Sequence, residues 1–245
     1  MRKLIFCAVI LALGASTASA TIVYDNTGGG LNPSTNSGLF DTGITSIYFD
    51  DATLSFAAPI TINQFNLGYT NQTGSSDTFD ILVQFFNNVN YNAGSGVPVG
   101  TNPIGSVVDI TGLTAAAGAI AQTGLVSIPG NAVTTTGTVG FEIEFVTPGS
   151  TTFGTADEDS AIQPLFNSTA PLVGSSSPDF AYDYLDQGTI VGNNQTGDIF
   201  TFPPPAANIY AQIGGAVPEP TSCGLLAVGS AFLLSRQKRV IRQAS

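Results

Sequence analysis

Between residues 21 and 216 the chain has no lysine, arginine, histidine, cysteine, tryptophan or methionine. All six basic residues sit at the ends: Arg2 and Lys3 on one side, Arg236, Lys238, Arg239 and Arg242 on the other. Both cysteines, Cys7 and Cys223, are terminal too. Each absence closes a class of function. Without cations the long middle cannot displace counterions from phosphates, which excludes nucleic acid as a partner. Phosphate-handling chemistry fails for the same reason, because Gly28-Gly29-Gly30 has no lysine beside it and reads as a turn. Zinc and haem sites need histidine or cysteine. What survives is hard-cation chemistry with oxygen ligands, carboxylate acid–base work, or no chemistry at all. We read the chain as not an enzyme.

The middle does have carboxylates and short apolar blocks. All but one of the 17 Asp and Glu residues lie there, and the formal net charge is −11. Phe, Ile, Leu and Val recur too often for a disordered segment. A domain of this length buries roughly 70% of its unfolded surface. With no cysteines it has no disulfide to depend on, so burial and backbone hydrogen bonds must hold it.

No segment of the middle has a helical period; strand-length runs bounded by Gly, Pro, Asn, Asp and Ser recur instead. Residues 138–147 alternate best, with Val139, Phe141, Ile143 and Phe145 on one face and Glu142 and Glu144 on the other. Residues 78–87 put Phe79, Ile81, Val83 and Phe85 inward, but Leu82 and Phe86 make the second face partly apolar, as in a strand buried on both sides. Further strands are expected at 22–25, 44–49, 60–69, 104–110, 125–128, 180–185, 198–202 and 208–213. Within 60–69 the apolar parity shifts between Ile62 and Phe65, which predicts a bulge. This pattern predicts an all-β domain, a single antiparallel β-sandwich of the jelly-roll kind.

The two ends read as addresses. Residues 1–20 combine Met1-Arg2-Lys3, an apolar run from 4 to 13 and the small-residue site Ala18-Ser19-Ala20, which is the pattern of a signal peptide removed by signal peptidase. The domain then covers residues 21–216. Residues 217–245 open with Val217-Pro218-Glu219-Pro220, continue through an apolar run from 223 to 234, and end in the basic cluster Arg236, Lys238, Arg239 and Arg242. Physically this is a stiff extended hinge, a hydrophobic helix and a positive stop that stays cytoplasmic. The order resembles the PEP-CTERM sorting segment of surface proteins from exopolysaccharide-producing bacteria. That resemblance implies a membrane-embedded, transpeptidase-like exosortase as the partner that recognises Pro218-Glu219-Pro220. It also implies export through the inner membrane, transient anchoring, and a final place at the cell surface or in the extracellular polysaccharide. The apolar run is short for a bilayer span, which suits a transient anchor better than a permanent one. Tyr24-Asp25-Asn26, Phe65-Asn66-Leu67-Gly68-Tyr69, Phe141-Glu142-Ile143-Glu144-Phe145 and Ala211-Gln212-Ile213 also resemble segments of ectodomains on other PEP-CTERM proteins.

Five groups of residues in the middle come into question as sites. Asp157-Glu158-Asp159-Ser160 is the densest acidic cluster, and such a loop can offer oxygen ligands to calcium, although it lacks EF-hand spacing. Asp50-Asp51 and the pair Asp77 and Asp80 read as turn residues at strand ends. Glu142 and Glu144 have a spacing compatible with glycosidase carboxylates, but they point the same way and should lie outside the core. Tyr182 and Tyr184 share a strand face and suit stacking on a sugar ring. Asn71-Gln72-Thr73, Asn167-Ser168-Thr169 and Asn194-Gln195-Thr196 match the glycosylation acceptor pattern and are expected to mark exposed loops.

The expected function is that of an exported, non-catalytic surface or matrix protein. The alternatives are a carbohydrate-binding module using Tyr182 and Tyr184, and a carboxylate-dependent glycan-active enzyme. Unbalanced carboxylates repel one another over roughly a Debye length, about 8–10 Å, so calcium or magnesium is expected to stabilise the fold.

Overall fold

Apolar side chains at alternate positions, punctuated by turn-forming residues, give short strands rather than helices. The computed structural model describes residues 20–28, 45–56, 59–90, 99–134, 137–154, 159, 161–167, 169–176, 179–186, 189–190, 199–201 and 208–216. All of them belong to one compact unit. The first strands are β1 (Thr21–Asp25), β2 (Thr45–Thr53), β3 (Ile60–Asn71), β4 (Asp77–Asn90) and β5 (Val99–Ala115). Then come β6 (Ile120–Gln122), β7 (Val126–Thr134), β8 (Thr138–Val146), β9 (Ile162–Pro164) and β10 (Phe166–Asn167). The last are β11 (Asp179–Asp186), β12 (Thr189–Ile190), β13 (Ile199–Thr201), β14 (Asn208–Ile209) and β15 (Ala211–Ala216). Among the described residues there is no helix, and every ladder between these strands is antiparallel.

Two large sheets result. In the first, β1 pairs with β15 and β15 with β3; β3 also carries β7, β6 and β9. The second runs β12-β11-β2-β8-β4-β5, with β13 also on β11. β10 and β14 form a small separate ladder. The long β4·β5 ladder is the turning point of the chain. Outward from it, β3 pairs with β7 in the first sheet, β2 with β8 in the second, and β1 with β15 in the first again. The chain is thus a doubled ribbon whose successive pairs fall on alternate sheets, and β11 is added beyond β2.

The faces expected for β4 and β8 are the ones observed: Phe79, Ile81, Val83, Phe85, Val139, Phe141, Ile143 and Phe145 are all buried in the common core. Leu82 and Phe86 are buried on the opposite face, as the sequence suggested. The expected bulge is present too. The consecutive β15 residues Gly214 and Gly215 pair with Gln64 and Ile62, which leaves Asn63 as the extra residue of β3 and turns both Ile62 and Phe65 inward. β5 is longer than expected because Asn102, Gly105 and Gly112 adopt positive φ inside the strand, and its register on β4 shifts twice instead of ending. The run expected at 208–213 divides at Tyr210. The Tyr210 ring packs over Gly68 so closely that a Cβ there would meet it at 2.6 Å.

The sheets meet through rings. Phe65 of the first sheet lies edge-on to Phe85 at 5.5 Å and to Phe141 at 5.6 Å, both in the second. Tyr69 meets Phe79 at 5.1 Å in the same way. Phe79 continues to Phe145 at 5.9 Å, and Phe145 to Tyr48 at 6.3 Å. Edge-to-face pairs add about 0.5–1.5 kcal/mol each beyond area burial. Replacing Phe65 by Ala should therefore lower the unfolding free energy by about 3–5 kcal/mol, whereas Val107→Ala, at a position 40% exposed, should change it by under about 0.5 kcal/mol. Equilibrium urea unfolding measures both, and equal effects would show that this contact does not hold the sheets together.

Candidate functional site

Several expected site residues fall outside the described residues: Val217, Pro218, Glu219, Pro220, Arg236, Lys238 and Arg239 of the tail, and Asp157 and Glu158 of the acidic cluster. No helix among the described residues is long and apolar enough to cross a membrane. Asp159 is described and half-buried. Its Oδ1 accepts from the Ala161 amide at 3.0 Å, and its own amide donates to Phe145 O at 2.9 Å. Burial, together with the charge of Asp77, raises its carboxyl above the ordinary value despite the Ala161 hydrogen bond. Of β11 the backbone is described: Tyr182 stands opposite Tyr48 and Tyr184 opposite Ser46, two alternate positions of one strand.

Glu142 and Glu144 lie on the face of the second sheet that turns away from the shared core, but they are not outside in the expected sense. Glu144 is fully buried, because the segment after β8 folds back and donates the Gly154 amide to its Oε2 at 2.9 Å. Glu142 stands between Phe49 on β2 and Gln84 on β4, and burial pushes its carboxyl up to about 7.

Of the aspartates expected at strand ends, Asp77 does open β4, whereas Asp80 and Asp50 need correction. Asp80 is inside β4 and buried; its Oδ1 accepts from the Gly112 amide at 2.7 Å and its Oδ2 from the Gly149 amide at 2.8 Å. One carboxylate thereby pins the bulged part of β5 and the turn after β8. Asp50 lies in the middle of β2 with no exposed surface. A carboxylate there is tolerated because distant backbone supplies donors, which a reading of local sequence cannot see.

The acceptor-pattern asparagines are likewise not exposed. Asn71 is fully buried and Asn167 nearly so. Each Oδ1 accepts from the amide and the hydroxyl of the threonine two residues on, at 2.9 and 2.8 Å for Asn71 with Thr73, and 3.0 and 2.9 Å for Asn167 with Thr169. Asp25 closes on Thr27 in the same way, at 2.9 and 2.6 Å. The Asn-x-Thr pattern here is a clasp at the end of a strand. Asn194-Gln195-Thr196 lies outside the described residues.

The densest polar arrangement was not foreseen as a site. It forms around Ile209 of β14, between the ends of β1 and the middle of β2. The Ile209 amide donates to Asp50 Oδ2 at 2.7 Å, and the Ile209 carbonyl accepts from Asn26 Nδ2 at 2.9 Å. Asp50 Oδ1 accepts from the Asp51 amide at 2.8 Å. Asn208 Nδ2 donates to Ser176 Oγ, and the Tyr24 phenol lies beside the same Ser176 and near Asp50. Asn26 Oδ1 and Asn208 Oδ1 are buried without a hydrogen-bond partner among the described residues, and the Tyr24 phenol has only Ser176 beside it. Burial, and next the Asp51 charge, push the Asp50 carboxyl well up, against the two amides that favour its ionised form. Burial and the nearby Asp50 raise the Tyr24 phenol.

Compared with family models, curated proteins and solved structures, the chain finds no match.

The Glu142 position sets the sign of a pH effect. Its folded-state value lies above its ordinary value, so the fold favours the protonated form, and stability should fall as pH rises from about 4.5 through about 7. The contribution is at most about 3 kcal/mol. Urea unfolding at pH 5 and pH 8 should show a steeper loss in the native chain than in Glu142→Gln; identical slopes would mean that Glu142 is not desolvated.

Proposed function

We propose that this chain is an exported, non-catalytic protein of the cell surface or extracellular matrix, delivered by its tail as a PEP-CTERM-like exosortase substrate. The observation that carries this reading is the order Val217-Pro218-Glu219-Pro220, apolar run, Arg236, Lys238 and Arg239, set against a middle stretch with no basic residue at all. A displayed domain without lysine or arginine presents one sign of charge to its surroundings, which favours solubility and discourages adhesion to polyanions. We further read the domain as a β-sandwich of the jelly-roll kind. The alternation of ribbon pairs between two sheets supports that reading, as does the single core cluster to which both sheets contribute.

The absence of histidine, cysteine and lysine from residues 21–216 supports a role without catalysis. So does the setting of Glu144, sealed beneath Gly154 rather than facing a cleft. The processing reading has a direct test in the mass of the naturally produced protein. Trypsin has no site between residues 21 and 216, so digestion leaves the domain whole and exposes both ends to measurement. The native product should end upstream of the apolar run, and Glu219→Ala should retain the tail through Arg242. An extracellular product that still carries Arg242 would overturn the proposal.

A further inference from the structure

The polar arrangement around Ile209 goes beyond the sorting reading and does not depend on it. Two features set it apart from the other buried polar groups. At Asp80, Asn71 and Asn167 the side-chain oxygens all find amide or hydroxyl donors. Around Ile209 two amide oxygens find none among the described residues, and they belong to Asn26 and Asn208, whose relative exposures are 0% and 6%; the Tyr24 phenol beside them has Ser176 alone. A buried oxygen left without a donor costs about 1–3 kcal/mol, and two in one place beside a buried carboxylate is a large penalty for a chance arrangement.

Their mutual placement follows from the contacts. In an extended chain the N–H and C=O of one residue leave on the same edge. The Asp50 and Asn26 side chains, which take the N–H and the C=O of Ile209, therefore lie side by side along that edge. Asn208 adjoins Ile209 and reaches Ser176, beside which the Tyr24 phenol sits, with Asp50 near that phenol in turn. The contacts close a ring from β1 to β2, β14 and the Ser176 segment. Its contents are one carboxylate, two amide oxygens and two hydroxyls. No cationic side chain exists between residues 21 and 216 to balance the carboxylate.

We propose that this ring binds one hard divalent cation of calcium size, with Asp50, Asn26 and Asn208 as its side-chain ligands and Tyr24 beside it. Calcium takes carboxylate and amide oxygens together and accepts irregular geometry, which fits this set of donors. The site differs from the Asp157-Glu158-Asp159 cluster in place and in kind. It ties the first strand to the second and to the last part of the chain, so the ion would be taken up as those distant segments close.

The test uses the full-length chain, stripped with EDTA and titrated with terbium, a luminescent calcium substitute that is excited by nearby tyrosine. The chain has no tryptophan to confuse the excitation. Terbium emission should saturate at one ion per chain and be displaced by calcium. Saturating calcium, at about a hundredfold over its dissociation constant, should raise the melting temperature by about 5–10 °C. Tyr24→Phe keeps the three ligands and should lose most of the emission while keeping the calcium-dependent rise. Asp50→Asn should lose the rise, and Asp159→Asn should lose neither. If Asp50→Asn does not fold, Tyr24→Phe decides alone. No emission, no calcium-dependent rise, wild-type emission from Tyr24→Phe, or a response lost in Asp159→Asn and kept in Asp50→Asn would each overturn the proposal.

Discussion

Phe65 touching Phe85 and Phe141 is the contact on which the rest of the fold depends. It joins β3, an inner strand of one sheet, to β4 and β8, neighbouring inner strands of the other. The charge pattern leaves little else to do that work. The middle stretch has carboxylates and no cation, so no ion pair between its side chains can offset their repulsion. Cohesion comes from removing apolar surface from water and from closing backbone hydrogen bonds. The Asn63 bulge matters for that reason. By shifting parity within β3 it turns both Ile62 and Phe65 toward the second sheet, where a regular strand would turn one of them away.

Several polar groups inside the domain take backbone partners brought from far along the chain. Asp80 binds two glycine amides, Asp50 binds Ile209, and Asn167 donates to the carbonyls of Asn26 and Gly28. Such bonds use the carboxylates and amides to position loops and strand ends without needing a cation. Around Ile209 the buried amide oxygens of Asn26 and Asn208 stand together without donors among the described residues, as Asn63 Oδ1 does singly in the β3 bulge. The proposed cation would supply there what the main chain does not give.

The strands with a regular alternation were legible in the sequence. In β8 the period of two separates Phe141 and Ile143 from Glu142 and Glu144, and β4 shows its two buried faces through Leu82 and Phe86. What the sequence hid was of two kinds. β5 continues through Asn102, Gly105 and Gly112, residues that usually end a strand, because the β4 ladder holds on either side of each bulge. Asp50, Asp80, Asn71 and Asn167 looked like surface turn residues, because residue type reports local preference while each is held inside by a partner more than 20 residues away. For the candidate sites the signal in the sequence was still weaker. Tyr24-Asp25-Asn26 and Asn208 carry no motif, and their juxtaposition exists only after β1 and β15 have paired.

Amide hydrogen exchange resolved to single residues tests most directly whether the two sheets are one cooperative body joined at Phe65. If they are, the amides in the centres of β3, β4 and β8 exchange last and with a common opening free energy equal to that of global unfolding. Should β3 open at a free energy well below that of β4 and β8, the sheets would be separate units and the aromatic contact would not be what unites them.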